Sequence, residues 1–211
     1  MIKLFIYVFF FTFLFSCKTD LNKPTACLMS DTLQLAVKSE IPQYTSSYLR
    51  SLPPALRNDS LLRSNDDLQI RFWFDYAFAD QIDLLVIKYN GDKWTAESMN
   101  LFFDRDLIED NHVLRSVSFK KIRPKSDWKT VLSSLCENKV MTLPHMDSLV
   151  RNKKATADGE YVTIEVNTKT RFRSYWYWSP ESCSELKECK SMINILKVLS
   201  TEFPLKKSGN Y

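Results

Sequence analysis

Two histidines, each two positions from an aspartate, are the residues of this 211-residue sequence best suited to acid–base chemistry. His112 follows Asp110, and His145 precedes Asp147. A carboxylate that orients an imidazole supports general acid–base catalysis, and Cys136 could supply a nucleophile to the second pair. His145 and Asp147, together with Cys136 or a bound metal, would therefore suit a hydrolase.

The surroundings of these residues favour a structural role over catalysis. Cys136 falls beside the apolar stripe of a predicted helix, and His145 and Asp147 fall in a predicted loop. A zinc site needs several Cys or His ligands at short spacing, and Cys183 and Cys189 have no histidine near them in the sequence. The motifs Gly-x-Ser-x-Gly, His-Glu-x-x-His and Ser-x-x-Lys do not occur in suitable contexts. The sequence therefore predicts no catalytic residue, no cofactor and no metal.

Composition and charge argue against two further classes. The 29 basic residues against 25 acidic ones give a mixed surface without a basic stripe, so we expect no nucleic-acid partner. The chain has only three glycines, whereas a loop that cradles phosphate needs several close together. The 45% hydrophobic and 13% aromatic content instead predicts one ordered domain with a sizeable core.

The first sixteen residues have the pattern of an export signal. Lys3 is followed by an apolar run from Leu4 to Phe15 that only Thr12 interrupts. A helix of that length rises about 18 Å, which is short of the roughly 30 Å hydrocarbon layer of a membrane. We therefore predict a cleaved leader over residues 1–16 rather than a membrane span.

The apolar run ends in Leu14-Phe15-Ser16-Cys17, which resembles the lipobox of bacterial lipoproteins. The resemblance implies that Cys17 becomes an acylated N-terminus and anchors the protein in a membrane. Lys18 stands where an aspartate usually retains such proteins in the inner membrane, which implies the outer membrane of a Gram-negative envelope, with either leaflet open. The alternative is an ordinary secretory leader in which Cys17 is incidental. Residues 17–29 then form a lipidated tether, and residues 30–211 form a single domain.

Further along the chain, alternating apolar residues predict strands, and one spaced stripe predicts a helix. Asn90-Gly91 between two apolar runs is a strong hairpin signal, and Ser126 can cap a helix whose stripe runs from Trp128 to Leu135. The predicted strands are Leu68–Tyr76, Ile82–Tyr89, Trp94–Phe103 and Val113–Ile122, with a short one at Leu33–Val37 and helical turns at Tyr44–Leu52 and Ala55–Arg63. Runs of strands followed by helices predict an α+β fold, with an antiparallel sheet of about six strands and helices packed on one face.

The last two predicted strands form a hairpin around the loop Thr168-Lys169-Thr170. Because side chains alternate with period two, a three-residue loop brings the apolar faces of the two strands together. That register sets Val162 opposite Trp176 and Glu165 opposite Arg173. The helix that follows is expected to pack over the face that carries Trp176.

This final helix is predicted to begin just behind Pro180, with Ser182 and Glu185 in capping-box spacing. If Cys183 and Cys189 both lie in the helix, they are separated by about 9 Å along its axis, beyond the limit of about 7 Å for a disulfide. They could pair only if the helix begins later. The cysteines available for disulfides are Cys27, Cys136, Cys183 and Cys189, and three complete pairings remain open.

The sheet face opposite the helices is the candidate binding surface. Tyrosine, tryptophan and arginine are enriched at binding hot spots because they combine large contact area with directional polar groups. In the register above, this face contains Arg71, Trp73, Tyr161, Glu165, Arg171, Arg173, Tyr175 and Tyr177. It would suit a protein partner, or a glycan through aromatic stacking. The alternative is ordinary cross-strand pairing on a solvated surface.

A recurring pattern covers residues 71–203. It consists of Trp128, Leu132 and Leu135, then Leu143-Pro144, Asp158-Gly159, Tyr161–Glu165 and Tyr175–Pro180. This pattern resembles that of uncharacterised bacterial lipoproteins and exported proteins of the Bacteroidota type. The resemblance implies a single α+β domain and no particular activity. We therefore expect a membrane-anchored, non-catalytic binding module of the cell envelope, such as an accessory subunit or an immunity-type protein, with an envelope hydrolase as the alternative.

Overall fold

Six long strands and one two-residue strand pair into a single antiparallel sheet. The computed structural model of the protein describes residues 27–28, 36–37, 52, 56, 66–76, 79–106, 111–149 and 159–205. The strands are β1 (Ala36–Val37), β2 (Leu68–Tyr76), β3 (Gln81–Asn90), β4 (Lys93–Asp106), β5 (Asn111–Ile122), β6 (Glu160–Thr168) and β7 (Arg171–Trp178). Their order across the sheet is β1-β7-β6-β2-β3-β4-β5, so β6 returns to pair with β2, and β7 pairs with the other side of β6.

The described helices pack against one face of the sheet, which we call the inner face. They are α1 (Trp128–Glu137), the single turn α2 (Met146–Leu149) and α3 (Lys187–Glu202), with a 3-10 turn at Pro180–Cys183 before α3. Apolar side chains of α1 and α3 form one buried cluster with the inner-face residues of β2, β3, β6 and β7. The predicted α+β fold, an antiparallel sheet with helices on one face, is confirmed.

The opposite, outer face of the sheet is also buried at its centre. A second apolar cluster consists of Leu52, Leu56, Trp73, Ile82, Leu84, Val86, Leu101 and Phe103. Leu52 and Leu56 come from the chain before β2 and cover strand residues of this face. Every residue of β2 from Leu68 to Phe74 is therefore buried, although an antiparallel sheet commonly leaves one face to water.

The hairpin between β3 and β4 forms where Asn90-Gly91 predicts it. Asn90 pairs with Lys93, so Gly91 and Asp92 make a two-residue turn. Gly91 has φ of 66°, a left-handed conformation that glycine adopts without steric cost. Its N–H donates to the carboxylate of Asp67 at 2.7 Å, which ties the turn to the start of β2.

The predicted register of the last hairpin is wrong by one residue. Thr168 and Arg171 flank a two-residue loop, where three residues were expected, and Val162 lies opposite Tyr177, not Trp176. Glu165 correspondingly lies opposite Ser174, not Arg173. A slip of one position moves every side chain of a strand to the other face. The odd-numbered residues of β7 therefore point to the inner face.

Carbonyl groups beyond the end of α1 explain this choice of face. The chain leaves α1 through Lys139, which has φ of 60°, and its next carbonyls point into the inner core. The Tyr175 hydroxyl donates to the Val140 carbonyl at 2.5 Å, and the Arg173 guanidinium donates to the carbonyls of Met141 and Leu143. Buried carbonyls need donors, and the tyrosine and arginine side chains supply them at these positions.

The starts of both long helices differ from the predictions. Asp127, not Ser126, caps α1, and its carboxylate accepts a hydrogen bond from the Thr130 N–H at 2.8 Å. The segment behind Pro180 forms the 3-10 turn, and α3 begins only at Lys187. Ser182 and Glu185 therefore precede the helix and do not form a capping box. The helix buries Cys189, Met192, Ile195, Leu196 and Leu199 in the inner core.

Several predictions lie outside the described residues. They are the leader over residues 1–16, the lipidated Cys17, most of the tether, and the helical turns before β2 apart from single residues. Of the predicted strand Leu33–Val37, only β1 is described, and it pairs with Phe172 and Arg171 of β7. Among the residues that the structure describes, no helix has the length and apolar character needed to cross a membrane.

Candidate functional site

The eight residues of the predicted binding surface do not share one face. Arg71, Trp73, Tyr161 and Glu165 lie on the outer face, as expected, through the pairing of β2 with β6. The corrected register places Arg171, Arg173, Tyr175 and Tyr177 on the inner face. Tyr175 and Tyr177 are buried in the helix-side core, so they are not part of a solvent-facing surface. The prediction of a continuous eight-residue surface is wrong.

The outer-face members form a buried polar row rather than an exposed surface. Tyr161 is 41% exposed, whereas Arg71, Trp73 and Glu165 are buried. The row also contains two residues that the sequence analysis did not single out, Gln69 and Asn167, which pair across β2 and β6 and are buried as well. Their alternation with Arg71 and Glu165 was visible in the sequence, but the burial depends on the chain that covers the outer face.

The row is held together by hydrogen bonds to Glu165 and Arg71. The Trp73 Nε1 donates to the Glu165 carboxyl at 2.9 Å, and the Arg71 Nη1 donates to the Leu56 carbonyl at 3.0 Å. The shortest distance between the guanidinium of Arg71 and the carboxyl of Glu165 is 3.9 Å. Within the described part of the chain, the second Glu165 oxygen and both polar atoms of the Asn167 side chain have no hydrogen-bond partner.

Burial controls the charges in this row. Loss of water raises the pKa of Glu165 to about 8, and it lowers the pKa of Arg71 to about 10. Arg71 does not reverse the effect on Glu165, because its nearest nitrogen lies beyond hydrogen-bond distance and already donates to Leu56. Burial therefore favours the neutral form of the carboxyl group. The arrangement makes stability depend on pH and offers no nucleophile for catalysis.

Cys136 cannot act as the nucleophile of the predicted hydrolase, because its thiol is not free. Cys136 is bonded to Cys27 in a disulfide, with their Cα atoms 6.1 Å apart. His145 does approach Asp147, with 3.4 Å between Nδ1 and the carboxylate. The imidazole is partly exposed and lies edge-on to Trp176, with ring centroids 5.0 Å apart. Among the described residues, no group of three or more Cys, His, Asp or Glu side chains could hold a metal ion.

The second disulfide joins Cys183 and Cys189. Their Cα atoms are 5.8 Å apart, although both were expected in one helix and too distant to bond. The late start of α3 explains the difference, because Cys183 ends the preceding 3-10 turn and only Cys189 is helical. Of the three pairings that the sequence left open, the structure has Cys27 with Cys136 and Cys183 with Cys189.

The free edge of the sheet, strand β5, exposes large apolar side chains. β5 is an edge strand of twelve residues, and its residues from Arg115 to Lys121 are all exposed. Val117 is 41% exposed and Phe119 is 54% exposed. They lie opposite Leu101 and Met99 of β4, so they extend the outer apolar surface to the sheet edge. Within the described ranges, no strand pairs with the other side of β5.

The exposed edge is also basic. Arg115, Lys120 and Lys121 carry positive charge, and β5 contains no acidic residue. The sequence predicts this strand but not its position at the edge, because strand order depends on the pairing of β6 with β2. The sequence signal for an edge strand was the presence of lysines in a strand with alternating apolar residues.

Comparison with known proteins adds no relative. No family model matches the chain, no curated protein matches it, and no solved structure matches it. The function is therefore inferred from the sequence and from the geometry of the sheet edge.

Proposed function

We propose that this protein is a lipid-anchored, non-catalytic binding module of a bacterial cell envelope that holds a protein partner by strand addition to β5. The observation that carries the proposal is the exposed pair Val117 and Phe119 on β5, whose free side no strand of the described ranges pairs with. An edge strand presents unpaired N–H and C=O groups, and an extended segment of another protein can bond to them as an added strand. Exposed apolar side chains beside that edge then supply contact area.

The leader and the cysteines support the location. The apolar run Leu4–Phe15 followed by Cys17 resembles a lipoprotein signal, and acylation of Cys17 would hold the domain at a bilayer. Two disulfides fit a protein that works in an oxidising compartment outside the cytoplasm. With Lys18 after the acylated residue, the outer membrane is the proposed site of attachment.

Charge favours an acidic segment of a different protein over a second copy of this chain. Two β5 strands side by side would bring together six basic side chains, three from each copy. A partner strand with acidic side chains would instead neutralise Lys120 and Lys121, and apolar residues on its outer side would contact Val117 and Phe119. Such an interface gains both backbone hydrogen bonds and side-chain specificity.

A peptide titration tests the proposal on the full chain in detergent. The probe is a fluorescent peptide of about ten residues that alternates valine and glutamate, because these residues match an apolar and basic edge. We expect binding that weakens with salt. The double variant Val117→Thr with Phe119→Thr keeps β propensity but removes the apolar contact, and it should bind about tenfold more weakly. Tyr161→Thr, which truncates an exposed outer-face aromatic on β6, is the matched control and should bind as the wild type does.

Three results would overturn strand addition at β5. The first is equal binding by the double variant, and the second is equal binding of a peptide that is N-methylated at alternate backbone nitrogens. The third is a dimer of the peptide-free chain that the double variant abolishes, because it would assign the edge to a second copy.

A further inference from the structure

A cleft at one end of the sheet combines stacked tryptophans with charged side chains. Its volume is about 1300 Å³, and it lies where the turn after β3 and the end of β5 meet the start of α1. Trp94 and Trp128 line it, together with Lys93, Glu97, Arg123 and Asp127. The volume exceeds the roughly 300–1,000 Å³ of sites for drug-sized molecules, so the cleft suits an extended ligand of several rings.

Contacts between aromatic rings run from the core to the cleft. Trp94 lies between Tyr89, at 4.9 Å between ring centroids, and Trp128, at 6.0 Å with the planes 30° apart. Trp128 also contacts Phe203 at 6.2 Å, and it is only half-buried. The indole of Trp128 is therefore a half-buried aromatic side chain that packs on core aromatic residues and reaches the cleft.

Trp94 leaves a hydrogen-bond donor unused. The residue is 5% exposed, and its Nε1 has no acceptor among the residues that the structure describes. A buried donor without a partner is destabilising, so it requires a physical explanation such as a ligand or water that supplies an acceptor. Trp94 lines the cleft, but its Nε1 is itself buried, so a ligand in the cleft brings that acceptor only together with a turn of the indole toward it.

The mixed charges of the side chains that line the cleft argue against a simple anion as its ligand. Asp127 already caps the first turn of α1, so the helix terminus has its own acceptor. Asp92, Glu97, Lys93 and Lys121 also line the cleft, and the Glu97 carboxylate already accepts a hydrogen bond from Lys88 at 2.8 Å. Mixed donors and acceptors around an aromatic platform suit hydroxyl groups, which can both donate and accept hydrogen bonds.

We propose that this cleft binds a neutral oligosaccharide. One sugar ring packs its C–H face on Trp128, and a hydroxyl or ring oxygen accepts the Trp94 N–H. The neighbouring charged side chains bond to the remaining hydroxyls. This site does not include Val117 or Phe119, but it adjoins the β5 edge because Lys121 belongs to both. It would give an envelope protein a second, glycan-directed contact.

Titration of the full chain with defined sugars tests the site. The probes are tetrasaccharides of glucose with α1,4 links, glucose with β1,4 links and N-acetylglucosamine with β1,4 links, with inorganic phosphate as the anion comparison. Binding is measured by calorimetry and by tryptophan fluorescence. We expect one tetrasaccharide to bind and phosphate not to bind. Trp128→Ala should weaken binding at least tenfold, and Trp94→Phe, which keeps a ring but removes the N–H donor, should weaken it about fivefold or more.

Matched variants separate this site from the rest of the protein. Trp176→Ala removes a half-buried aromatic residue outside the cleft and should leave sugar affinity unchanged. The double variant at Val117 and Phe119 should also keep it, so failure of peptide binding and failure of sugar binding are distinguishable. Absence of binding by every tetrasaccharide overturns the inference, as does unchanged affinity in a folded Trp94→Phe variant. Phosphate binding that persists without Trp128 would show an adventitious ion only.

Discussion

Glu165 should make the stability of this protein fall as pH rises. Burial raises its pKa to about 8 in the folded state, from an ordinary value of 4.5. The folded chain therefore keeps the proton over a range where the unfolded chain releases it. The stability that the neutral carboxyl contributes is fully present below about pH 4.5 and is lost as pH rises through about 8.

The size of the effect follows from linkage. One group that is protonated in the folded state and ionised in the unfolded state changes the free energy of unfolding by about 1.4 kcal/mol per pH unit. Between pH 5 and pH 8 the wild type should therefore lose roughly 4 kcal/mol from Glu165 alone. The side chain is fully buried, so solvent screening does not reduce this value by much.

Glu165→Gln is the informative substitution. The amide has nearly the same shape, its oxygen can accept the Trp73 N–H, and it does not ionise. We expect its free energy of unfolding to lie within about 1 kcal/mol of wild type at pH 5 and to exceed it by several kcal/mol at pH 8. The measurement is urea denaturation followed by tryptophan fluorescence at pH 5, 6, 7 and 8 and constant ionic strength.

Glu181→Gln, at an exposed residue, is the control and should keep the wild-type pH dependence. Parallel pH profiles for wild type and Glu165→Gln would refute the reasoning. They would mean that Glu165 is ionised in the folded protein, and hence that attraction to Arg71 outweighs burial.

Three further substitutions test the fold and the anchor. Tyr175→Phe should lower the free energy of unfolding by about 1–3 kcal/mol, because the buried Val140 carbonyl loses its donor. Gly159→Ala should destabilise the protein by about 1–3 kcal/mol, because the new methyl group would overlap the Trp178 indole. Both are measured by urea denaturation. Cys17→Ala should abolish incorporation of labelled palmitate in cells and move the protein from the membrane to the soluble fraction.

Each of these three predictions has a control variant or a result that would contradict it. Tyr161→Phe alters an exposed tyrosine and should change stability by less than about 0.5 kcal/mol, so an equal loss there would remove the role of the Val140 bond. At Gly91 the added methyl group has open space, so only its positive φ opposes alanine, and a cost near 1 kcal/mol is expected. Palmitate labelling that persists in Cys17→Ala would contradict the lipid anchor.

The sequence predicted the elements that depend on local pattern. Strong alternation placed β2, and Asn90-Gly91 placed the β3–β4 turn. The register of the last hairpin could not be predicted locally, because both faces of β7 are aromatic: Trp176 and Trp178 alternate with Tyr175 and Tyr177. The choice between the two faces is made by carbonyls after α1, about 30 residues earlier in the chain.

The candidate site was predictable only in part for the same reason. Arg71 and Glu165 were placed on one face, but their burial depends on Leu52 and Leu56, whose segment has a weak pattern. The start of α3 was missed because the capping-box spacing of Ser182 suggested a helix where a 3-10 turn precedes it. Local signals thus located the strands, and tertiary contacts decided which residues reach solvent.

The two edges of the sheet differ in a way that favours β5 as the interaction edge. At β7, Phe172 and Arg171 pair with β1, and the Trp178 N–H donates to the Met146 sulfur of α2 at 3.1 Å. That edge is therefore partly occupied by the chain itself, whereas β5 has no pairing strand on its free side within the described ranges.

The means by which β5 is protected also limit its partners. A bulge in its pairing with β4 between Phe102 and Phe103, together with Lys120 and Lys121, is the kind of feature that prevents uncontrolled edge pairing. Positive charge repels a second copy of the same strand but attracts an acidic one. The positive charges that oppose pairing of β5 with a second copy would thus help to select the partner that we propose.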